Sequence, residues 1–476
     1  MLKKYLSDIA FMQILNLLIK PIWILFIDAA VQEALPDVYG NYFGLLTFSL
    51  LFFIVLDFGL NSFNATSISK DNAKIYKLTG SIIGFKIVLS ILYIVLVFGV
   101  GYLTGYSSAE FHLLIFLCVI QIITSFNQFF RSIVSGLQRF KWDGVFMVLD
   151  RMLLIVFCSI LLWGEIEGWE LTIERFVYAQ ILGLVVVCLM LVFFLRTHLS
   201  GMKVSFNLGD LMPILIESWP FAILISLMGL YNYVDGVMLE RIIGDSEAYV
   251  YAMGYRFYFA LFMFAQVFSQ VLLPFFSKNL ENLDVVKVIS GFTFKLLFLV
   301  GIILSLLAVS YGMEILTWRF PLKADNHSVL SFQILLFGFI GSAFILVYGT
   351  LLTAATELRF LNFSAFITVV INWVLNLFLI PIYGAVGAAI ATTSSQLLFG
   401  GMCYLLSFRK FDFQLNIPEI VKQVLGVILL FIAIVFGKQY LDNVVVHFSM
   451  ITVTALLVGY LFRLYNPAQL KSFIRK

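Results

Sequence analysis

The segment "LNLLIKPIWILFIDAAV" (Leu15–Val31) is apolar enough to lie in lipid, yet it contains Lys20, Pro21 and Asp28. A charged side chain at the centre of a bilayer costs about 2.5–3.5 kcal/mol on insertion scales, so such residues usually face a partner or a water-filled cavity. The segment therefore indicates a transmembrane helix that does more than anchor the chain.

The composition of the whole chain favours an all-α polytopic membrane protein. Of its 476 residues, 62% are hydrophobic and 12% are charged, and the mean hydropathy is +1.03. A soluble domain carries about 25% charged residues. The net charge of +3 is too small to suggest a nucleic-acid partner.

Fourteen apolar windows predict about fourteen transmembrane helices, here called spans 1 to 14. Their approximate limits are 8–34, 41–62, 78–104, 110–134, 144–163, 174–196, 213–235, 247–275, 288–312, 329–353, 361–381, 384–406, 420–437 and 444–464. Most of the 30 lysines and arginines fall in alternate loops, on the same side as the N-terminus. By the positive-inside rule, both chain ends are expected to be cytoplasmic.

The first half of the chain resembles the second. "GFKIVLSI" (Gly84–Ile91) is similar to "TFKLLFLV" (Thr293–Val300), and "PDVYGNY" (Pro36–Tyr42) is similar to "SEAYVY" (Ser246–Tyr251). Both matches have an offset of about 210 residues, which corresponds to six spans. An even number of spans gives the two copies the same membrane orientation, as in transporters with parallel repeats and a substrate site between the halves.

The repeat predicts three parts of the chain. They are an N-terminal six-helix lobe at 1–200, a C-terminal six-helix lobe at 201–408, and two additional helices with a basic cytoplasmic tail at 409–476. We expect a pseudo-twofold axis along the membrane normal to relate the two lobes.

Span 1 carries a polar stripe. At 100° per residue, Gln13, Asn16, Lys20 and Asp28 fall within an arc of about 120°. Lys20 lies about 13 residues into the span, roughly 20 Å from its inner end, which is too deep for easy snorkelling. Pro21 leaves a backbone carbonyl without its donor and is expected to bend the helix. The stripe indicates a cavity lining; the alternative is a Lys20 paired with an acid on a neighbouring helix.

Span 8 carries a second stripe. Tyr249, Arg256, Gln266 and Gln270 share an arc of about 100°. If this stripe and that of span 1 face one cavity, Lys20 and Arg256 would suit an anionic substrate, because lysine and arginine bind phosphate oxygens well. The alternative is a structural ion pair of Arg256.

The other charges within the spans are expected to be structural, although the sequence leaves a functional role open for Lys86, Lys295, Asp150 and Arg151. Lys86 is expected to snorkel towards headgroups. Asp57 is expected to anchor an inner loop through Arg131 or Arg139. Asp150 is expected to pair with the adjacent arginine.

Motifs for chemistry are missing from the sequence. The chain has no G-x-x-x-x-G-K-[ST] phosphate loop. Its four histidines are scattered, and its four cysteines lie in apolar runs without metal-ligand spacing. We therefore expect no enzymatic activity, no metal and no cofactor.

Three blocks of sequence resemble the polysaccharide-transport branch of the multidrug/oligosaccharidyl-lipid/polysaccharide exporter superfamily. They are "PDVYGNYFGLLTFSLLFFIVLDFGL" (Pro36–Leu60), "RSIVSGLQRFKWDGVFMVLDRMLLI" (Arg131–Ile155) and "NLFLIPIYGAVGAAIATTSSQ" (Asn376–Gln396). The resemblance implies a flippase in the bacterial inner membrane that moves undecaprenyl-diphosphate-linked oligosaccharide, such as an O-antigen or capsule repeat unit, by alternating access. The partners that it implies are this polyprenyl-diphosphate-linked glycan, membrane lipid, a coupling cation (H+ or Na+) and a polysaccharide polymerase.

The resemblance also assigns roles to residues. Related flippases of peptidoglycan lipid precursors carry cations on helices one and eight, and Lys20 and Arg256 match them. Lys20 replaces what is often an arginine and lacks the bidentate fork. Asp28 would tune the cavity charge or bind the coupling cation, and Asn16, Tyr249, Gln266 and Gln270 would line the substrate path.

Two other classes of function remain open. A multidrug/cation antiporter of the same superfamily would normally have twelve helices and an acidic cavity. A membrane-embedded polymerase or glycosyltransferase acting on lipid-linked glycans would need a sizeable loop with catalytic groups, and the loops between the spans are short.

Overall fold

The described part of the chain is helical and contains no strand, which confirms the predicted all-α class. The protein is represented by a computed structural model. The residues that it describes are 11, 14–16, 18–61, 64, 65, 68, 74–137, 139–164, 166–199, 204, 223, 227, 229–413, 417–440 and 444–461.

The described residues form a series of helices. In chain order they are α1 (Ile14–Ala34), α2 (Tyr39–Leu51), α3 (Lys74–Leu103), α4 (Ser108–Gly136), α5 (Phe140–Trp163), α6 (Ile173–Leu199), α7 (229–242), α8 (Asp245–Asn279), α9 (Leu283–Arg319), α10 (Asn326–Ala354), α11 (Leu358–Lys410), α12 (Ile417–Tyr440) and α13 (Val444–Leu461). Among the residues described, nine helices are long and apolar enough to cross a membrane. Each predicted span overlaps one of the helices α1 to α13, and α11 contains both span 11 and span 12. Most of span 7 lies outside the described residues.

The chain divides into two compact units, Met1–Ala252 and Met253–Lys476. The core of the first unit includes Phe129 of α4 and Leu191 of α6. The core of the second includes Leu307 of α9, with further side chains from α10, α12 and α13. The predicted lobe limits and the pseudo-twofold axis stay predictions.

A tight turn separates the two halves of α11. Gly384 has φ +53° and ψ −129°, a backbone conformation that only glycine adopts without strain. A methyl group at Gly387 would overlap the backbone carbonyl of Leu379. Pro381 lies three residues before the turn. The glycine and proline pattern of this block therefore has a direct cause, which is a reversal of the chain between spans 11 and 12.

Helix α1 changes its winding directly after Pro21. Residues Trp23–Asp28 form a π-helix, and α-helical winding resumes at Ala29. Proline lacks the N–H that would close the preceding turn, and its ring crowds the carbonyl four residues back. A local π segment accommodates such a defect.

Helix α2 is broken, whereas the sequence predicted an unbroken span at 41–62. It ends at Leu51 and is followed by the 3-10 turn Phe53–Leu56. The next residues leave helical geometry altogether, because Phe58 has φ +46° and Gly59 has φ +78°. Backbone carbonyls at this break have no helical donor and need another partner inside the protein.

Lys86 of α3 supplies that partner. Its Nζ donates to the Leu56 carbonyl at 2.8 Å and to Ser125 Oγ at 2.6 Å, and it lies 3.8 Å from the Asp57 carboxylate. The side chain is 1% exposed. The prediction that Lys86 snorkels is therefore wrong, since the ammonium is used inside the protein. The predicted anchoring of Asp57 through Arg131 or Arg139 is also wrong, because the cation beside its carboxylate is Lys86.

Glycines let α2 approach α7 and the start of α8 closely within the first unit. A methyl group at Gly40 would overlap the backbone carbonyl of Asp245. One at Gly44 would lie 2.6 Å from Cγ of Glu240. Small residues of this kind allow helix backbones in membranes to come into contact.

An ion-pair cluster reinforces the same end of the unit. Arg241 Nε donates to Glu240 at 2.8 Å, and its Nη2 pairs with Glu110 at the start of α4. The guanidinium lies 3.6 Å from the centroid of the Tyr106 ring. Burial raises the pKa of the Glu240 carboxyl, and hydrogen bonds from Arg241 oppose that shift. The cluster ties α4 to α7.

We predict that Gly40→Ala destabilises the protein, because its new methyl group meets backbone that cannot move aside. Overpacking of this kind costs about 1–3 kcal/mol, which lowers the midpoint of thermal unfolding of the purified protein in detergent. The control is Gly99→Ala in α3, where an added methyl group meets nothing within 4 Å. Equal midpoints for the two variants would contradict the close approach.

We predict that Lys86→Met lowers the unfolding midpoint strongly, since removing one partner of a buried ion pair costs about 3–5 kcal/mol. Asp57→Asn should be destabilising too. The double variant should lose less stability than the sum of the single losses, because both remove the same interaction. Strict additivity in this cycle would show that the two side chains do not interact.

Candidate functional site

The polar face of α1 points towards α4 and α5. Asn16 Nδ2 lies 2.8 Å from Met147 Sδ of α5. The charges that act most strongly on Lys20 are those of Arg151, Arg131 and Asp150. The structure therefore brings Lys20 to a group of charged side chains on two neighbouring helices.

We call Lys20, Arg131, Asp143, Asp150 and Arg151 the cationic cluster. Within it, Arg131 Nε lies 2.8 Å from Asp143, and Arg151 Nε lies 3.6 Å from Asp150. None of the described residues forms a hydrogen bond or an ion pair with Lys20. Each arginine thus has its own carboxylate, and the Lys20 ammonium is the surplus positive charge.

Arg151 is a member of this cluster for which the sequence predicted a local pair and left a functional role open. That pair with Asp150 exists, but the guanidinium also lies 5.6 Å from the centroid of the Trp23 ring of α1. Its side chain is 37% exposed. The signal available in the sequence was a charge two turns into span 5, which is the same signal that singled out Lys20.

Asp28 and Tyr249 both contact Tyr39. The Tyr39 hydroxyl donates to Asp28 at 3.1 Å, and the rings of Tyr39 and Tyr249 meet edge to face with centroids 6.5 Å apart. Gln32 Nε2 donates to the Tyr249 backbone carbonyl at 3.0 Å. These contacts connect the end of α1 to the start of α8 within the first unit.

The second unit holds the remaining predicted site residues. Arg256 is 5% exposed, whereas Gln266 is exposed. Gln270 is helical, and its side chain lies outside the described part of the structure. The assignment of Arg256, Gln266 and Gln270 to a substrate path stays a prediction.

A buried hydrogen-bond network lies two residues from Arg256 along α8, and the sequence did not reveal it. The Tyr258 hydroxyl lies 2.9 Å from Ser342 Oγ of α10. It also accepts a hydrogen bond of 2.6 Å from Gln396 Nε2 of α11. The polar residues of three helices are thereby joined in the interior of the second unit.

Charge and depth together define what the cationic cluster can do. Electrostatic interactions are stronger in a low-dielectric interior than in water, and an ammonium there favours a binding partner of opposite charge. Oxyanions such as phosphates accept charge-assisted hydrogen bonds from lysine and arginine. The cluster is therefore suited to hold an anion.

Comparison with known proteins identifies relatives of the sequence. A family model described as polysaccharide biosynthesis protein matches residues 8–280. An uncharacterized membrane protein of Methanocaldococcus jannaschii is 26% identical over 311 residues, which are 62% of this chain and 71% of the relative.

Solved structures with the same fold are transporters. The lipid II flippase MurJ, in an inward closed conformation, gives a TM-score of 0.63 at 16% identity, over 96% of this chain and 98% of that chain. An inward-facing multidrug resistance MATE family transporter of the MOP superfamily gives 0.57 at 14% identity, over 84% and 94%. A MOP superfamily transporter from Pyrococcus furiosus gives 0.57 at 14% identity, over 85% and 95%. The family match shows that the chain belongs to the family of polysaccharide biosynthesis proteins, as the sequence resemblance predicted, and the structural likenesses show that it has the fold of these transporters.

We predict that Lys20→Met raises the unfolding midpoint of the purified protein. The substitution removes a surplus charge from an apolar helix, where a lysine costs about 2.5–3.5 kcal/mol, and it also removes repulsion from Arg151. The control is Lys141→Met, which removes an exposed cation of α5 and should leave the midpoint nearly unchanged. A clear drop for Lys20→Met would show that Lys20 has a structural partner.

Proposed function

Because the chain belongs to the family of polysaccharide biosynthesis proteins, we propose that it is a flippase for polyprenyl-diphosphate-linked oligosaccharide. The proposed substrate is an O-antigen, capsule or similar repeat unit on undecaprenyl diphosphate, moved across the bacterial inner membrane by alternating access. The observation that carries the proposal is the surplus charge of Lys20 in the cationic cluster. Family membership and the transporter fold support it.

The substrate has three parts with different demands. Its glycan is polar, its tail is apolar and can remain in lipid, and its diphosphate is a compact anion that must lose water to cross the interior. In the proposal, Lys20 binds a diphosphate oxygen, and Arg151 adds to the positive potential there. Arg256 of the second unit binds the diphosphate at another stage of transport. Each contact offsets part of the cost of moving charge through a low-dielectric region.

Asp28 has a separate role in the proposal. Its carboxylate, held by the Tyr39 hydroxyl, would bind the coupling cation, either H+ or Na+. The polymerase that joins repeat units is the proposed partner on the receiving side of the membrane. Neither role requires bond chemistry by this chain, which would act as a transporter and not as an enzyme.

The charge of the cluster favours this function over cation–drug antiport. A cationic drug would meet the Lys20 ammonium, and the two carboxylates of the cluster are already engaged by Arg131 and Arg151. Repulsion between like charges in such a site would oppose binding.

Transport by reconstituted protein tests the proposal. A fluorescent polyprenyl-diphosphate glycan would be placed in proteoliposomes, and its appearance in the opposite leaflet would be followed by quenching with dithionite. Lys20→Met should reduce the flipping rate at least about tenfold, because it removes a charge-assisted contact worth more than one tenfold step. Lys20→Arg should retain part of the rate, and Arg256→Glu should be slower than Arg256→Gln because it adds repulsion.

Lys141→Met serves as the matched control and should flip the probe at the parental rate. Unfolding midpoints measured on the same preparations separate lost transport from lost folding. Parental rates for both Lys20→Met and Arg256→Glu would refute the proposed roles of these cations. Transport of ethidium in place of the glycan would favour the antiporter.

A further inference from the structure

An apolar groove lies between α5 and α6, and the residues that line it are not those of the cationic cluster. Its volume is about 650 Å³, within the range of sites that hold a small organic ligand. Its walls include Phe157 and Ile160 of α5, and Tyr178 and Leu182 of α6. Three of these side chains are 41–51% exposed, as expected of a surface that faces lipid tails.

The groove has a polar end. Trp169 and Arg175 line it where the α5–α6 connection crosses over to α6. The Arg175 guanidinium donates to the Glu170 carbonyl at 2.5 Å, and its backbone N–H donates to Thr172 Oγ1 at 3.3 Å. These bonds fix the position of the arginine. Within the described ranges Arg175 forms no ion pair with a carboxylate, so its charge is available to a ligand.

The groove is apolar along its walls and polar at the end with Arg175 and Trp169, so it matches a membrane lipid, which has apolar chains and a polar headgroup. Acyl chains match the walls, and a phosphate matches the guanidinium. Tryptophan is enriched at the level of the headgroups. At about 30 Å³ for each water-sized group, the groove of about 650 Å³ accepts roughly twenty such groups, which is enough for one acyl chain of a phospholipid.

The charges beside Arg175 select the headgroup. Glu167, Glu170 and Glu174 lie within eight residues of one another in the same segment, so the region is acidic apart from the arginine. A purely anionic headgroup would be repelled by these carboxylates. In a headgroup with a phosphate and an ammonium, the phosphate is attracted by Arg175 and the ammonium is attracted by the glutamates.

We propose that the groove between α5 and α6 binds a phospholipid with an amine-bearing headgroup, of the phosphatidylethanolamine type. Arg175 binds the phosphate, and the glutamates of the connection attract the ammonium. One acyl chain lies between the two helices, and the other lies in the surrounding lipid. The bound lipid fills the groove and stabilises the pairing of α5 with α6. This site is independent of the proposed transport function.

Native mass spectrometry of the full-length protein tests the proposal, with palmitoyl-oleoyl phosphatidylethanolamine and the matching phosphatidylglycerol as probes. One phosphatidylethanolamine should bind. Its affinity should fall about tenfold in Arg175→Gln, which removes a charge-assisted hydrogen bond, and in Leu182→Trp, which fills the groove. The control Arg196→Gln changes an arginine in the last turn of the same helix and should bind as the parent does.

The headgroup preference has its own test. Phosphatidylglycerol should bind at least about fivefold more weakly than phosphatidylethanolamine, and the triple variant Glu167→Gln/Glu170→Gln/Glu174→Gln should remove this preference, because it abolishes the repulsion. If a groove variant fails to fold, tryptophan fluorescence gives a second measurement. The emission of Trp169 is the difference between the parent and Trp169→Phe, and brominated phosphatidylethanolamine should quench it.

Several results would overturn the proposal. They are equal phosphatidylethanolamine binding by Arg175→Gln and Arg196→Gln, equal affinity of the parent for both lipids, and absence of quenching at Trp169. Displacement of the lipid by a polyprenyl diphosphate, or burial of the groove by a second copy of the chain, would do the same.

Discussion

Lipid supplies no hydrogen bonds, so each backbone group that leaves helical geometry within a span needs a partner inside the protein. The break in α2 depends on this constraint most directly. The Leu56 carbonyl at this break accepts hydrogen bonds from the Lys86 ammonium at 2.8 Å and from the Ser125 hydroxyl at 2.9 Å. The same constraint makes Lys20 exceptional. Lys86 is fully used in holding the fold, whereas Lys20 has no hydrogen bond or ion pair among the described residues.

The positions of the helices could be predicted from the sequence because lipid demands about 20 apolar residues for each crossing. Predicted span 11 ends at residue 381 and predicted span 12 begins at residue 384, the residue that forms the turn, because the glycine and proline pattern there is a local signal. The break in α2 could not be predicted in this way. "FFIVLDFGL" (Phe52–Leu60) is as apolar as its surroundings, and the broken conformation depends on Lys86 and Ser125, which are distant in sequence.

The candidate site could be predicted only in part, for a similar reason. Depth and helical periodicity singled out Lys20, since both follow from the local sequence. Its surroundings depend on how α1 packs against α4 and α5, which no local pattern determines. For the same reason the partner of Asp57 was predicted wrongly. Arg131 is engaged by Asp143, twelve residues along the chain, and the cation near Asp57 comes from α3.

The π-helix of α1 links Lys20 and Asp28 mechanically. The π segment Trp23–Asp28 lies between Lys20 and the last turn of α1, and Asp28 is the final residue of this segment. A π turn holds an extra residue compared with an α turn. If the segment rewound as an α-helix, the register would shift by one residue, and the two parts of α1 would rotate by about 100° about the helix axis. The segment can thus act as a rotary joint, in which a change at the carboxylate turns the ammonium without any bending of the helix.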